Sequence, residues 1–144
     1  MKKDYAYVVK AIVIREDKIL ILRRSKEERE NSYINKNAVW DLPGGGVRFF
    51  ETGENALFRE IKEETGLKVC LIKLLNARDI IRSRIHLVIL THICVYTKGE
   101  VVLSPEHDKY YWLSISEMEE MDIPQRMIRD FKIALAEYRQ SKEL

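Results

Sequence analysis

Cysteine is scarce: Cys70 and Cys94 are the only two thiols in 144 residues. Both lie in apolar, strand-like runs and are expected as buried thiols. No CxxC pair and no Cys/His cluster suggests zinc, and nothing requires an oxidising compartment. An excess of one charge is also missing. Lys and Arg number 25 against 23 Asp and Glu, a formal net charge of +2, mixed along the chain with no long basic run. There is no strong signal for nucleic acid and none for a membrane surface. No segment approaches the ~18 uninterrupted apolar residues of a membrane span. Asp4, Lys10 and Arg15 interrupt any signal-like apolar core after Met1-Lys2-Lys3. Internal repeats and low-complexity stretches are absent. A cytoplasmic location without a membrane partner is the expectation.

What is present reads as a soluble, globular chain, with 46% hydrophobic and 33% charged residues. Its length suits one domain over 1–144 with a sizeable core. Tyr5 to Arg15 is rich in β-branched and aromatic residues and predicts a strand. Glu16-Asp17-Lys18 reads as a turn, and Ile19 to Arg24 as the second strand of a hairpin. Arg23 and Arg24 then point to opposite faces. The polar run Lys26 to Asn37 reads as a mobile loop, either an exposed connection or a lid. Ala38–Leu42 and Gly46–Arg48 predict short strands around Gly44 and Gly45. Leu67–Ile81 carries further strand signals, closed by a turn at Arg82-Ser83-Arg84. Ile85 to Thr97 is apolar on both faces and predicts a central strand covered on both sides. Val101–Ser104 reads as a returning strand after the turn Lys98-Gly99-Glu100. Ser114 and Glu117 have capping-box spacing. Met127, Ile128, Phe131, Leu135 and Tyr138 predict an amphipathic helix that packs on the sheet. Strands dominate, with one helix in the middle and one at the end. That order argues a mixed sheet with helices on both faces, an α/β fold.

The stretch from Gly45 to Leu67 is the least ordinary. It opens as a glycine-rich turn and becomes a helix with Thr52 as N-cap and Gly66 past its end. Glu60 precedes Glu63 and Glu64 by three and four residues, so all three share one side. Like charges at this spacing cost an isolated helix about 0.2–0.5 kcal/mol per pair. A solvated acidic face would lie opposite Leu57 and Ile61. Glu60 and Glu64 instead fall beside that apolar stripe, with Glu63 at its margin. Buried carboxylates need partners, and Arg59 alone cannot serve all of them. A hard divalent cation with oxygen ligands, Mg²⁺ first, is the natural complement.

The spacing G-x5-E-x7-R-E-U-x-E-E-x-G-U, with U aliphatic, is filled by Gly45, Glu51, Arg59, Glu60, Ile61, Glu63, Glu64, Gly66 and Leu67. It resembles the Nudix box of the Nudix hydrolases. The preceding W-x-L-P-G-G, from Trp40 to Gly45, resembles the family as well. The resemblance implies a Nudix α/β/α sandwich: a mixed sheet with the box helix on one side and the C-terminal helix on the other. It implies hydrolysis of a phosphoanhydride in a nucleoside diphosphate linked to a group X, with Mg²⁺ as cofactor and Mn²⁺ as a substitute. Glu60, Glu63 and Glu64 are the implied metal ligands, with the Gly45 carbonyl as an extra one. Arg59 orients the glutamates, and Glu51 sits at the helix start. The general base is Glu60 or Glu64 of the box, or Glu106 in the acidic loop before Trp112. Asp108 is second to Glu106 there.

A basic residue near the substrate phosphates is implied at Arg23 or Arg24; the other reading is a charged strand end. His86 and His92 are weak metal candidates, and one of them is the better candidate for a polar cavity lining. Relatives often carry Gly where Phe50 stands and an acid where Arg48 stands. Phe49 and Phe50 either stack on a base or pack under the loop, and packing is favoured. The bare domain resembles MutT-type nucleoside triphosphate hydrolases, giving a nucleoside monophosphate and pyrophosphate. ADP-ribose or nucleotide-sugar hydrolysis is second, and a non-catalytic nucleotide sensor third. The partner is a nucleotide-type small molecule, and the chain a monomer or homodimer.

Overall fold

The computed structural model describes residues 4–32 and 37–142. Met1-Lys2-Lys3 and residues 33–36 of the expected loop lie outside the described residues. Strands β1 (Asp4–Arg15) and β2 (Lys18–Arg24) form the predicted hairpin, with Ile14 opposite Ile19. Glu16 takes φ 58° in the turn between them. Helix α1 (Lys26–Glu30) then replaces the first part of the expected loop, capped by Ser25 Oγ, which accepts the Glu28 N–H at 3.2 Å. Strand β3 is short (Trp40–Asp41) and pairs with β2. Strand β4 is Gly44–Gly46, slightly earlier than expected, because its register runs Val8–Gly46 to Lys10–Gly44 on β1.

The box helix α2 (Gly53–Thr65) follows the sequence closely. Thr52 Oγ1 accepts the Asn55 N–H at 3.1 Å. At the other end Gly66 takes φ 75°, a left-handed conformation that a Cβ would strain, and donates to Lys62 O at 2.9 Å. Strands β5 (Lys68–Arg82) and β6 (Ile85–Lys98) form a long antiparallel pair. Strand β7 (His107–Leu113) returns to pair with β2. Helices α3 (Ile115–Glu119), with the expected Ser114–Glu117 capping box, and α4 (Gln125–Lys142) complete the chain.

The sheet runs β3-β2-β1-β6-β5, with β4 also on β1 and β7 also on β2. Strands β1 and β6 are parallel, which makes the sheet mixed. Alternation along β1 serves two cores. Ile12 and Ile14, with Ile93, pack under Ile128, Phe131 and Leu135 of α4. Val9, Ala11 and Val13, with Cys94, pack under Ala56, Leu57 and Ile61 of α2. Complete burial of one such side chain contributes about 1.5–3 kcal/mol.

Two expectations are corrected here. Val101–Ser104 is not a strand, because β1 and β5 already occupy both edges of β6. The segment instead crosses the C-terminal end of α2, where Val102 N–H donates to Thr65 O at 2.9 Å and Ser104 N–H to Glu64 O at 3.2 Å. It satisfies carbonyls that a helix end leaves without partners. Cys70 is exposed, not buried, because it lies on the edge strand β5. Cys94 is buried as expected, and burial pushes its thiol up to about 12. Among the described residues no helix is long and apolar enough to cross a membrane.

Candidate functional site

Helix α2 stands over β1 and β4, so its acids meet the glycine turn. Arg59 is the hub. Its Nε and Nη2 donate to the two oxygens of Glu51 at 2.7 and 2.9 Å. Nη1 donates to Glu60 at 3.0 Å and to Glu63 at 3.3 Å, and Nη2 also reaches Gly46 O at 3.1 Å. The Arg59 bonds, together with the Arg48 N–H, hold the Glu51 carboxyl down at about 2. The same carboxylates push the Arg59 guanidinium further up. Arg59 is thus in contact with Glu51, Glu60 and Glu63, the acids the sequence reading has it orient.

The three box acids differ in setting. Glu63 is half-exposed and Glu60 mostly buried. The Glu60 carboxylate lies directly over Gly45, where an added Cβ would come within 2.6 Å of its carboxyl carbon. A side chain at position 45 would push the carboxylate aside. Glu64 is buried, at 4% exposure, and accepts the Gly44 N–H at 3.1 Å. Burial pushes its carboxyl up to about 8; Lys10 and the Gly44 N–H oppose the rise, while Asp41 and Glu106 add to it.

Lys10 is the cation on the other side of Glu64, and the sequence reading did not single it out. Its Nζ donates to Asp41 Oδ1 at 3.0 Å and to Leu42 O at 3.2 Å. The other Asp41 oxygen meets His107 Nε2 at 3.0 Å. Burial alone would raise Asp41, but Lys10 and His107 outweigh it and hold the carboxyl well below the usual range. Burial likewise pushes Lys10 down, and Asp41, Glu64 and Glu106 push it further up. Glu106 is thus brought within electrostatic reach of both Lys10 and Glu64, though it lies outside the box. One signal was on the page: a lysine in the middle of a strand whose neighbours are all apolar. Asp41 and His107 have no such local mark.

The remaining candidates separate. Arg23 is held bidentately by Asp108, at 2.8 and 3.1 Å, which is the charged strand end of the second reading. Arg24 is buried, donates to Ala38 O at 2.9 Å, and lines a cavity of about 310 Å³. That cavity lies on the α4 side of the sheet, and Lys10 and Asp41, which line it, also act electrostatically on Glu64. Phe49 and Phe50 do not pack under the loop: both rings are fully exposed, and neither lines the cavity. Phe50 takes φ 64° in a turn closed by the Glu51 N–H on Arg48 O at 3.1 Å, which turns both rings outward. Neither histidine of β6 lines the cavity. His86 stacks on Tyr5 and bonds Asp79 at 2.8 Å, while His92 is buried. Strand alternation gives the cavity Leu87, Ile89 and Thr91 instead.

The donor set beside α2 fits a hard cation. Glu60, Glu63, Glu64 and the Gly45 carbonyl offer only oxygen, the ligand type of Mg²⁺. The missing Cβ of Gly45 leaves the Glu60 carboxylate against the turn. Among the described residues no three acids, imidazoles or thiols already stand close enough to grip an ion. Arg59 draws Glu51, Glu60 and Glu63 to itself, so an added cation competes with a guanidinium for two of its ligands.

Known proteins resemble the chain as a whole. The family model of the NUDIX domain matches residues 4–131. The nucleoside triphosphatase NudI of Klebsiella pneumoniae (strain 342) is 33% identical over 95 residues, covering 58% of this chain and 67% of that one. A MutT-like protein of Streptomyces ambofaciens is 32% identical over 114 residues, 78% of this chain and 66% of that one. The chain spans about two thirds of the length of these curated relatives. The crystal structure of the MutT protein from Methanosarcina mazei Go1 superposes with a TM-score of 0.75 at 29% identity, covering 96% of this chain and 98% of that one.

Proposed function

The chain belongs to the NUDIX hydrolase family, and from that premise we propose that it hydrolyses a nucleoside triphosphate to the monophosphate and pyrophosphate, with Mg²⁺ held by Glu60, Glu63, Glu64 and the Gly45 carbonyl. One observation supports the reading: Lys10 and Asp41 line the cavity and also lie within electrostatic reach of the buried Glu64 of α2. A ligand of suitable length lies in the cavity and presents its phosphates to the acids. The relatives named as a nucleoside triphosphatase and as MutT-like favour a triphosphate over other diphosphate-linked substrates.

Bound Mg²⁺ supplies positive charge to the phosphate oxygens and polarises the phosphorus and its attacking water. The chain supplies position. Arg59 holds Glu60 and Glu63 by charge-assisted hydrogen bonds. The Gly44 N–H holds Glu64, whose proton leaves more readily as positive charge gathers beside it. Lys10 lies on the path of the phosphates, and Arg24 lines the same cavity. Glu60, Glu64 and Glu106 are the candidates to take the proton of the attacking water. Water adds to phosphorus, the phosphoanhydride bond breaks, and pyrophosphate leaves with the bridging oxygen.

The test is a phosphate-release panel over nucleoside triphosphates, dinucleoside polyphosphates, ADP-ribose and sugar nucleotides, with and without Mg²⁺. Metal-dependent turnover of triphosphates is expected. Turnover confined to ADP-ribose or sugar nucleotides would replace the substrate, and no turnover at high enzyme would favour a nucleotide sensor.

A further inference from the structure

Helix α2 has 13 residues and is about 20 Å long. The strands beneath it are longer: β1 has 12 residues, β6 14 and β5 15, or about 40–50 Å each. One helix of that length leaves part of the sheet face bare. It covers Val9, Ala11, Val13 and Cys94. Strand alternation puts Tyr5 and Tyr7 of β1 on the same face as Val9, and His86, Val88 and Leu90 of β6 on the same face as Cys94. The register sets Ile81 of β5 opposite His86, Asp79 opposite Val88, and Leu74 opposite His92. The first residues of β1 and β6 and the last of β5 thus extend this face beyond the helix. Tyr5 is 77% exposed there, Ile81 64%, Leu74 46% and Tyr7 41%. A sheet buries its apolar face against another element, and among the described residues no element covers these side chains.

We propose that a second copy of the chain covers this face, in an isologous dimer that packs the two bare sheet ends against each other. Area is the first argument. At about 200 Å² for a fully exposed large side chain, Tyr5, Tyr7, Leu74 and Ile81 present about 450 Å². The partly buried Val88 and Leu90, with Asp79 and His86, bring the face to about 600 Å². Two such faces bury about 1,200 Å², the lower end of a standard specific interface. Charge is the second argument. Along these rows the acid and the imidazole are Asp79 and His86, and they bond each other at 2.8 Å. Tyr5 stacks on the same imidazole at 4.7 Å. The face therefore presents no excess charge to select an acidic or basic partner, and it meets its own copy without repulsion. Tyrosine suits such a contact, because its ring packs while its hydroxyl keeps a polar partner or water. The free edge of β5 is the other route to a dimer. Register shifts between Leu71 and Lys73 and between Leu74 and Asn76 break its regularity, which opposes pairing of edge to edge.

Sedimentation equilibrium of the whole chain, from about 1 to about 200 μM, tests the proposal. A monomer–dimer equilibrium with a micromolar dissociation constant is expected for a surface of this size. Ile81→Glu brings like charges into the contact and should weaken association by about a hundredfold. Tyr5→Ser removes a ring from it and should cost about tenfold. Ile133→Glu, at an exposed position of α4, should leave association unchanged. All three side chains are exposed, so thermal unfolding should find each variant folded. A single chain at every concentration overturns the proposal, and so does a dimer that both Ile81→Glu and Tyr5→Ser leave at full strength. A chain that stays single yet floats with vesicles of phosphatidylcholine and phosphatidylglycerol, and loses this in Ile81→Glu, would assign the face to a membrane and overturn the dimer. None of these readouts depends on turnover, so the hydrolase reading stands or falls separately.

Discussion

Replacing Asp41 by Asn tests whether the buried network beside the acids is a true charge network. Asp41 bonds Lys10 through one oxygen and His107 through the other, each at 3.0 Å. The amide keeps the volume and removes the charge, and its N–H cannot accept the bonds that the replaced oxygen took, either from Lys10 and the Leu42 N–H or from His107. Removing one partner of a buried pair costs about 3–5 kcal/mol. Lys10 and Asp41 keep 21% and 25% of their side-chain exposure, so solvent screens part of this. About 2–3 kcal/mol of destabilisation remains. For a chain of this length that lowers Tm by roughly 10 °C. Urea unfolding at pH 7 measures it directly.

The pH dependence gives a second check. The fold holds Asp41 below its ordinary value, so the unfolded chain binds more protons in acid. The stabilisation is present above about pH 4 and is lost as pH falls through the folded value. The gap between wild type and Asp41→Asn should therefore be constant near neutrality and close below about pH 4. A loss under about 0.5 kcal/mol, within the range of ordinary surface substitutions, or a gap that widens in acid, would refute the reasoning.

Three further outcomes follow from the same geometry. Glu63→Gln should leave Tm within a degree or two, since Glu63 is half-exposed, yet lower Mg²⁺-dependent turnover by orders of magnitude; retained activity removes it from the ligand set. Glu64 has a folded value of about 8, above that of an ordinary carboxyl, so its stabilisation is complete below about pH 4.5 and is lost as pH rises through 8. Chelator-treated wild type should therefore weaken over that window while Glu64→Gln stays flat, as read by thermal unfolding across pH. Phe50→Gly should relieve the strain of φ 64° and raise stability by up to about 1 kcal/mol in urea unfolding, with no gain if the Phe50 ring is packed in solution.

The fold and the site differ in how much of each the chain discloses locally. Helix α2 was legible to its caps because its signals are local: Thr52, Gly66 and a stripe of Ala56, Leu57 and Ile61. The hairpin and the central β6 were legible because strand alternation and length act within one segment. Val101–Ser104 was misread because its apolar residues serve a helix end instead of a ladder, and no local pattern reports that both edges of β6 are taken. The acid cluster was readable from spacing, since its members share a single helix. Lys10, Asp41 and His107 were not, because they meet across separations of 31 and 66 residues.

That contrast bears on how the acids are tolerated. A helix carrying Glu60, Glu63 and Glu64 beside its apolar stripe needs positive charge before any ion arrives. Arg59, on the same helix, answers for Glu60 and Glu63 and spends its remaining donors on Glu51 and Gly46. It forms no bond with Glu64, which faces the sheet. Among the described residues Glu64 has the Gly44 N–H and the field of Lys10. Lys10 in turn is held off Glu64 by Asp41 and the Leu42 carbonyl. The arrangement leaves the most buried acid the least satisfied, with its carboxyl biased towards the protonated form. On the proposed ligand set a cation would gain most at Glu64, which has no ion pair to break among the described residues, and would compete with Arg59 for the other two. The residue that sets this balance lies on β1, far outside the box, so on the proposed ligand set the sheet beneath the helix governs how strongly Glu64 calls for a cation.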